Sequence, residues 1–147
     1  AADDSEAAAA ATTTALQLAV APEHVDAAQL MLPHNWRRWV RVWLDEDIPA
    51  FDVGGGVVGD DVREATLLCK ASGVLCGVPF VDAIFAALDC SVQWREREGA
   101  YIDVSAAPSG RVTVAVVRGA VRNVLLGERT ALNLMARASG IATLARR

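Results

Sequence analysis

The stretch LLCKASGVLCGVPFVDAIFAALDC, Leu67–Cys90, changes its hydrophobic period midway, and that change decides the fold class. Thr66–Lys70 and Val74–Val78 are short β-prone runs separated by the turn signal Ser72-Gly73. From Pro79 onward Phe80, Ile84, Phe85 and Leu88 recur at helical spacing, and proline suits the first position of a helix because its missing N–H is not needed there. The stretch therefore predicts strand, turn, strand and then a helix over Pro79–Leu88. Further β-prone runs follow at Ser91–Arg97, Tyr101–Val104 and Val112–Arg118, punctuated by Glu98-Gly99 and Ser109-Gly110. Strands at hairpin spacing with a helix laid on them specify an antiparallel α+β sandwich, not a doubly wound parallel sheet.

Upstream, Leu30–Asp47 reads as one helix, with Asn35 as its N-cap and Pro49 beyond its stop. Trp36, Trp39, Val40, Trp43 and Leu44 share a face, while Arg37, Arg38 and Arg41 fall on the other side. Interleaved Trp and Arg could stack on nucleic acid only with exposed rings, so helical spacing favours a buried aromatic stripe and no nucleic-acid partner. The acids Asp45, Glu46, Asp47 and Asp52 diverge on any regular backbone and are expected to form a solvated turn rather than a metal site. VGGGVVGD at Val53–Asp60 lacks the Gly-Lys-Ser/Thr ending of a phosphate loop and reads as a flexible turn.

Residues 1–28 form a separate compositional region, Ala-rich, with Asp3, Asp4, Glu6, Glu23 and Asp26 and neither Lys nor Arg. This is the pattern of a solvated tail; it fits neither a secretory signal nor an Arg-rich transit peptide, and it does not start with Met, so an upstream part is expected to be missing. Without its five acids, the 18 of the whole chain fall to 13 against 14 Lys and Arg, so the folded part is near neutral and bulk charge gives no attraction to nucleic acid. Apolar runs such as Val114–Val117 are far short of the ~20 residues of a membrane span. Cys69, Cys76 and Cys90 are odd in number, lack a C-x-x-C spacing, and read as free thiols of a reducing, cytoplasmic compartment; His24 and His34 complete no metal-ligand pattern.

The end of the chain, LLGERTALNLMARASGIATLARR at Leu125–Arg147, reads as an amphipathic helix. At ~100° per residue Arg122, Arg129, Asn133 and Arg137 share one arc, interrupted only by Leu126, and Leu132, Leu134, Met135 and Ala138 occupy the other side. Guanidinium forks match carboxylate and phosphate oxygens, so such a row suits a substrate with several negative charges; the alternative, which periodicity alone favours, is a solvated helix surface. Gly127 costs ~1 kcal/mol against Ala inside a helix, which predicts close approach of another backbone or a break that aims Arg129. Glu128 points toward the apolar side and is expected to meet a cation across a domain or subunit contact.

LLGERTALNLMARASGIAT resembles the signature helix of the quinolinate phosphoribosyltransferases, and the likeness extends through LPHNWRRWVRVWLDED, FDVGGGVVGD, LLCKASGVLCGVPFVDAIFAALDC and VAVVRGAVRNVLLGERTALN. It covers about Leu32–Arg147. The resemblance implies an N-terminal α/β sandwich followed by an incomplete α/β barrel, which divides this chain into a tail at 1–28, a sandwich domain at 29–118 and, at 119–147, the first helix of a truncated barrel. It implies transfer of the phosphoribosyl group of phosphoribosyl pyrophosphate to quinolinate, with magnesium screening the pyrophosphate, giving nicotinate mononucleotide, pyrophosphate and carbon dioxide for NAD synthesis. It places Arg129 at the arginine of the family's Gly-Glu-Arg-Thr phrase, which reaches across a homodimer interface to a substrate carboxylate; Arg122, Asn133 and Arg137 receive no role from it. The remaining basic and metal-binding residues of the family belong to barrel segments beyond Arg147. The expectation is a fragment with no catalytic residue and no metal ligand of its own, inactive alone; the alternative is a truncated, non-catalytic dimerisation or regulatory partner of a full-length enzyme.

Overall fold

The computed structural model describes residues 27–48 and 58–146. The expected tail at 1–28, apart from its last two residues, lies outside them, as do Asp52 and most of VGGGVVGD. In chain order the elements are α1 (Ala27–Met31), α2 (Arg37–Asp47), β1 (Val62–Cys69), β2 (Gly73–Val74), α3 (Val78–Ala87), β3 (Ser91–Trp94), β4 (Tyr101–Ile102), a 3-10 turn (Val104–Ala106), β5 (Val112–Ala120) and α4 (Val121–Ala145).

The longest and most β-branched run, β5, takes the centre of a three-stranded antiparallel sheet in the order β1-β5-β3. Val62 faces Ala120 and Ser91 faces Arg118, with an irregularity between Leu67 and Leu68 where one extra residue, Val114, enters β5. β2 and β4 pair separately, Gly73 with Ile102 and Val74 with Tyr101. Sequence and structure agree on an antiparallel α+β sandwich. The helices converge on one core of Trp36, Val40, Leu44, Leu75, Val81, Ile84, Phe85, Val114, Val117, Ala131 and Met135. Ile84 is fully buried, and α3 starts with Pro79 in its first turn, as the sequence predicts.

The single helix expected over Leu30–Asp47 is two. Pro33 lacks an N–H and restricts the residue before it, so α1 stops at Met31 and the chain turns through the bond from Trp36 N–H to the Pro33 carbonyl, 2.9 Å. Trp36, not Asn35, precedes α2, and it has helical torsions with no side-chain cap. Trp36 is buried edge-on to Phe80, ring centroids 5.2 Å apart, and Trp43 meets the same ring at 6.0 Å. Trp39 departs from the expected stripe: it is 45% exposed, because it lies ~100° around the helix from Val40, the centre of the buried face. Arg38 stacks its guanidinium 5.0 Å from the Trp39 ring centroid.

The expected strand at Val74–Val78 pairs only as far as Val74, and Gly77, whose φ is +105°, turns the chain into α3. Tyr101–Val104 likewise yields to the 3-10 turn, started by the Asp103 carboxylate accepting from the Ser105 N–H at 2.9 Å. β5 continues to Ala120, two residues past the boundary expected at 118/119, and α4 follows without a break.

α4 is fastened along its length. Near its start the Asn123 amide donates to the Leu88 carbonyl at 2.8 Å, serving an end carbonyl of α3. Near its end Thr143 Oγ1 accepts from Val74 N–H at 2.9 Å, and Ser139 Oγ accepts from Cys76 N–H at 3.0 Å and donates to the Cys76 carbonyl. These two hydroxyls, one turn apart, satisfy the inner edge of the small β2–β4 ladder.

Candidate substrate-facing site

The cationic arc predicted on α4 is present and faces outward. Arg122, Arg129, Asn133 and Arg137 are all exposed. Arg122 pairs through Nε with Asp60 at 2.8 Å, both side chains being more than half exposed. No ion pair among the described residues engages Arg137. Leu132 belongs with this exposed side rather than with Met135, being 42% exposed where the sequence places it in the apolar stripe. The residue sits at the edge of that stripe.

Arg129 is distinguished by its partner. Its Nε lies 3.1 Å from Asp47 Oδ1; the arginine side chain is 77% exposed and the aspartate only 17%. Asp47 Oδ2 accepts a hydrogen bond from Thr130 Oγ1 at 3.2 Å, and Thr130 is buried. Asp47 therefore does not belong to the solvated acidic turn expected of Asp45, Glu46 and Asp47. It ends α2, where the helix dipole disfavours a carboxylate, and neighbouring groups on α4 offset that cost. The sequence signal for this was weak: nothing in DEDIPAFD ranks one acid above the next.

Gly127 is buried, and α4 passes through it unbroken. The close approach comes from side chains, not from another backbone: a Cβ there would lie 2.9 Å from both Phe85 Cε1 and Leu88 Cδ1 of α3. The glycine thus sets the α3–α4 distance and does not redirect Arg129. Glu128 is exposed rather than held among apolar groups, and it has no ion pair among the described residues. It rims, with Leu125 and Leu132, a cavity of about 200 Å³ between β1 and α4.

A second polar feature escaped the sequence reading. The Glu98 carboxylate, on the turn after β3, accepts from the N–H groups of Gly77 at 3.0 Å and Val78 at 2.8 Å, and so caps α3 from a distance. The available signal was negative, since Gly77 has no side chain to cap the helix that follows it. Burial, and then the hydrogen bond and charge of Glu98, push the Cys76 thiol up to about 11. All three cysteines are free. An apolar groove of about 600 Å³ runs between the end of β1, β2 and the distal half of α4, lined by Leu68, Val74, Leu132, Met135 and Leu144 among others. No helix among the described residues is long and apolar enough to cross a membrane.

Comparison with known proteins identifies this arrangement. Residues 52–139 match the model of the quinolinate phosphoribosyl transferase, N-terminal domain, and the chain belongs to that family. It is 40% identical over 121 residues to the carboxylating nicotinate-nucleotide pyrophosphorylase of Dictyostelium discoideum, covering 81% of this chain and 40% of that one. It is 44% identical over 118 residues to the Homo sapiens protein of the same name, covering 80% and 38%. The solved nicotinate-nucleotide pyrophosphorylase of Francisella tularensis superposes with a TM-score of 0.68 at 27% identity, over 76% of this chain and 39% of that one. The chain thus spans about 40% of the length of the relatives it matches.

Proposed function

We propose that this chain is the N-terminal part of a quinolinate phosphoribosyltransferase, an enzyme converting quinolinate and phosphoribosyl pyrophosphate to nicotinate mononucleotide, pyrophosphate and carbon dioxide on the way to NAD. Family membership over residues 52–139 supports the activity, and the exposed, Asp47-held guanidinium of Arg129 is the observation that carries the site. In this reading Arg129 binds a carboxylate of quinolinate in the site of a partner subunit, so that the active form is a homodimer. The reaction joins two anionic reactants at a ribosyl carbon that becomes cationic as pyrophosphate leaves. Cations arrayed around them supply positioning and electrostatic stabilisation, which dominate in such transfers.

The chain's own contribution is binding and orientation. Arg129 offers its outer nitrogens to substrate; Arg122, Asn133 and Arg137 add positive and hydrogen-bonding character along the same face. Magnesium would screen the charge of the pyrophosphate; no group of three or more His, Cys, Asp or Glu side chains suited to a metal ion occurs among the described residues. A protein of the relatives' full length carrying this sequence, incubated with quinolinate, phosphoribosyl pyrophosphate and magnesium, is expected to release nicotinate mononucleotide and carbon dioxide in equal amounts. The 147-residue chain alone is expected to release neither. Absence of product from the full-length protein, or turnover by the short chain, would overturn the reading.

A further inference from the structure

We infer that Asp47 is a positioning residue for Arg129: it fixes the rotation of the guanidinium so that the outer pair of nitrogens is presented as a fork for a substrate carboxylate. The inference rests on the role proposed for Arg129 and assigns a second residue to that function. A guanidinium can receive a carboxylate either on the edge made by Nε and one terminal nitrogen or on the edge made by the two terminal nitrogens. Asp47 Oδ1, 3.1 Å from Nε, engages the first edge. The second edge remains for a ligand.

The anchoring is asymmetric in the way a positioning device requires. Asp47 is mostly enclosed and uses both oxygens, Oδ1 toward Arg129 and Oδ2 toward the Thr130 hydroxyl at 3.2 Å. Thr130 is itself buried next to Arg129 on α4, so the carboxylate is tied to the helix that carries the arginine and cannot follow a swing of the guanidinium. The arginine, in contrast, is 77% exposed. A long side chain projecting that far into solvent would otherwise sample many rotamers, and ordering it at the moment of binding would weaken the substrate contact. Asp45 and Glu46, the other acids at the end of α2, make no ion pair with Arg129, so the device uses one acid of the three.

The test uses the full-length protein and its steady-state kinetics. Asp47→Asn keeps the shape but removes the charge, and is expected to raise the quinolinate KM about tenfold while kcat, the phosphoribosyl pyrophosphate KM and Tm stay near wild type. Combined with Arg129→Ala it should add nothing, because a positioning residue acts only through the group it positions. Thr130→Val, which frees Oδ2, should shift the quinolinate KM in the same direction by less, and covers the case in which Asp47→Asn does not fold. An unchanged or lowered quinolinate KM in Asp47→Asn would overturn the inference, a lowered one meaning that Asp47 competes with substrate. So would an effect that adds to that of Arg129→Ala, or one that falls on both substrates with a lower Tm, since each marks Asp47 as a mere tie between α2 and α4. In those cases a raised KM in Arg129→Ala leaves the role of Arg129 standing. No effect of Arg129→Ala removes both.

Discussion

Gly127 shows how one atom can set the distance between two helices. Glycine in a helix interior is unfavourable by ~1 kcal/mol against alanine, so propensity alone says that Gly127→Ala should stabilise α4. The contacts say otherwise, because the new methyl would stand 2.9 Å from the buried Phe85 ring as well as from the tip of Leu88. Leu88 can rotate away, but Phe85 is 4% exposed and belongs to the buried core. Overpacking costs ~1–3 kcal/mol and outweighs the gain in propensity. Gly127→Ala is therefore expected to lower stability by about 1 kcal/mol, measurable as a lower urea midpoint at unchanged m-value. A higher midpoint would mean that α3 and α4 are not in the contact described. The sequence marked Gly127 as anomalous through its helical context, yet it could not say what came close, because Phe85 and Leu88 belong to an element whose packing partner no periodicity identifies.

At the scale of elements, the start of α3 depends on a residue far from it in sequence. Gly77 turns the chain with positive φ and offers no capping side chain, and Glu98 supplies the missing acceptor for two N–H groups. Glu98→Ala is expected to destabilise the protein by about 1–2 kcal/mol through loss of that cap. The same carboxylate helps hold the Cys76 thiol protonated. A thiol raised to about 11 in the fold and near 9 when unfolded adds stability that is complete below pH 9 and lost as pH rises from 9 to about 11. Cys76 should accordingly react slowly with an alkylating agent at pH 8.5 and faster in Glu98→Ala, while equal rates would show that Glu98 does not act on the thiol. Most of the elements were legible in sequence: the hairpin-spaced strands, the α3 stripe behind Pro79 and the long amphipathic α4 all follow from local pattern. The breaks were less so, since Pro33 was passed over within one apparent helix and Gly77 within one apparent strand. Glu98 and Asp47 were illegible as partners, because a cap or ion pair made across the fold leaves no local spacing to read.

At the scale of the molecule, the sandwich presents α4 as its charged outer element. Its inner side joins the core through Ala131 and Met135, and its outer side carries Arg122, Arg129, Asn133 and Arg137. That division was legible from helical spacing, and the family signature supplied the role proposed for Arg129, whereas its ion pair with Asp47 emerged only with the fold. We propose that Arg129 reads a carboxylate of quinolinate in an enzyme of which this chain forms the N-terminal part. The measurement that tests it most directly is the quinolinate KM of the full-length protein with Arg129→Ala. Loss of a charge-assisted contact worth about 1.5–3 kcal/mol predicts a quinolinate KM raised roughly ten- to a hundredfold, with the phosphoribosyl pyrophosphate KM and the fold unchanged. A quinolinate KM within twofold of wild type would contradict it.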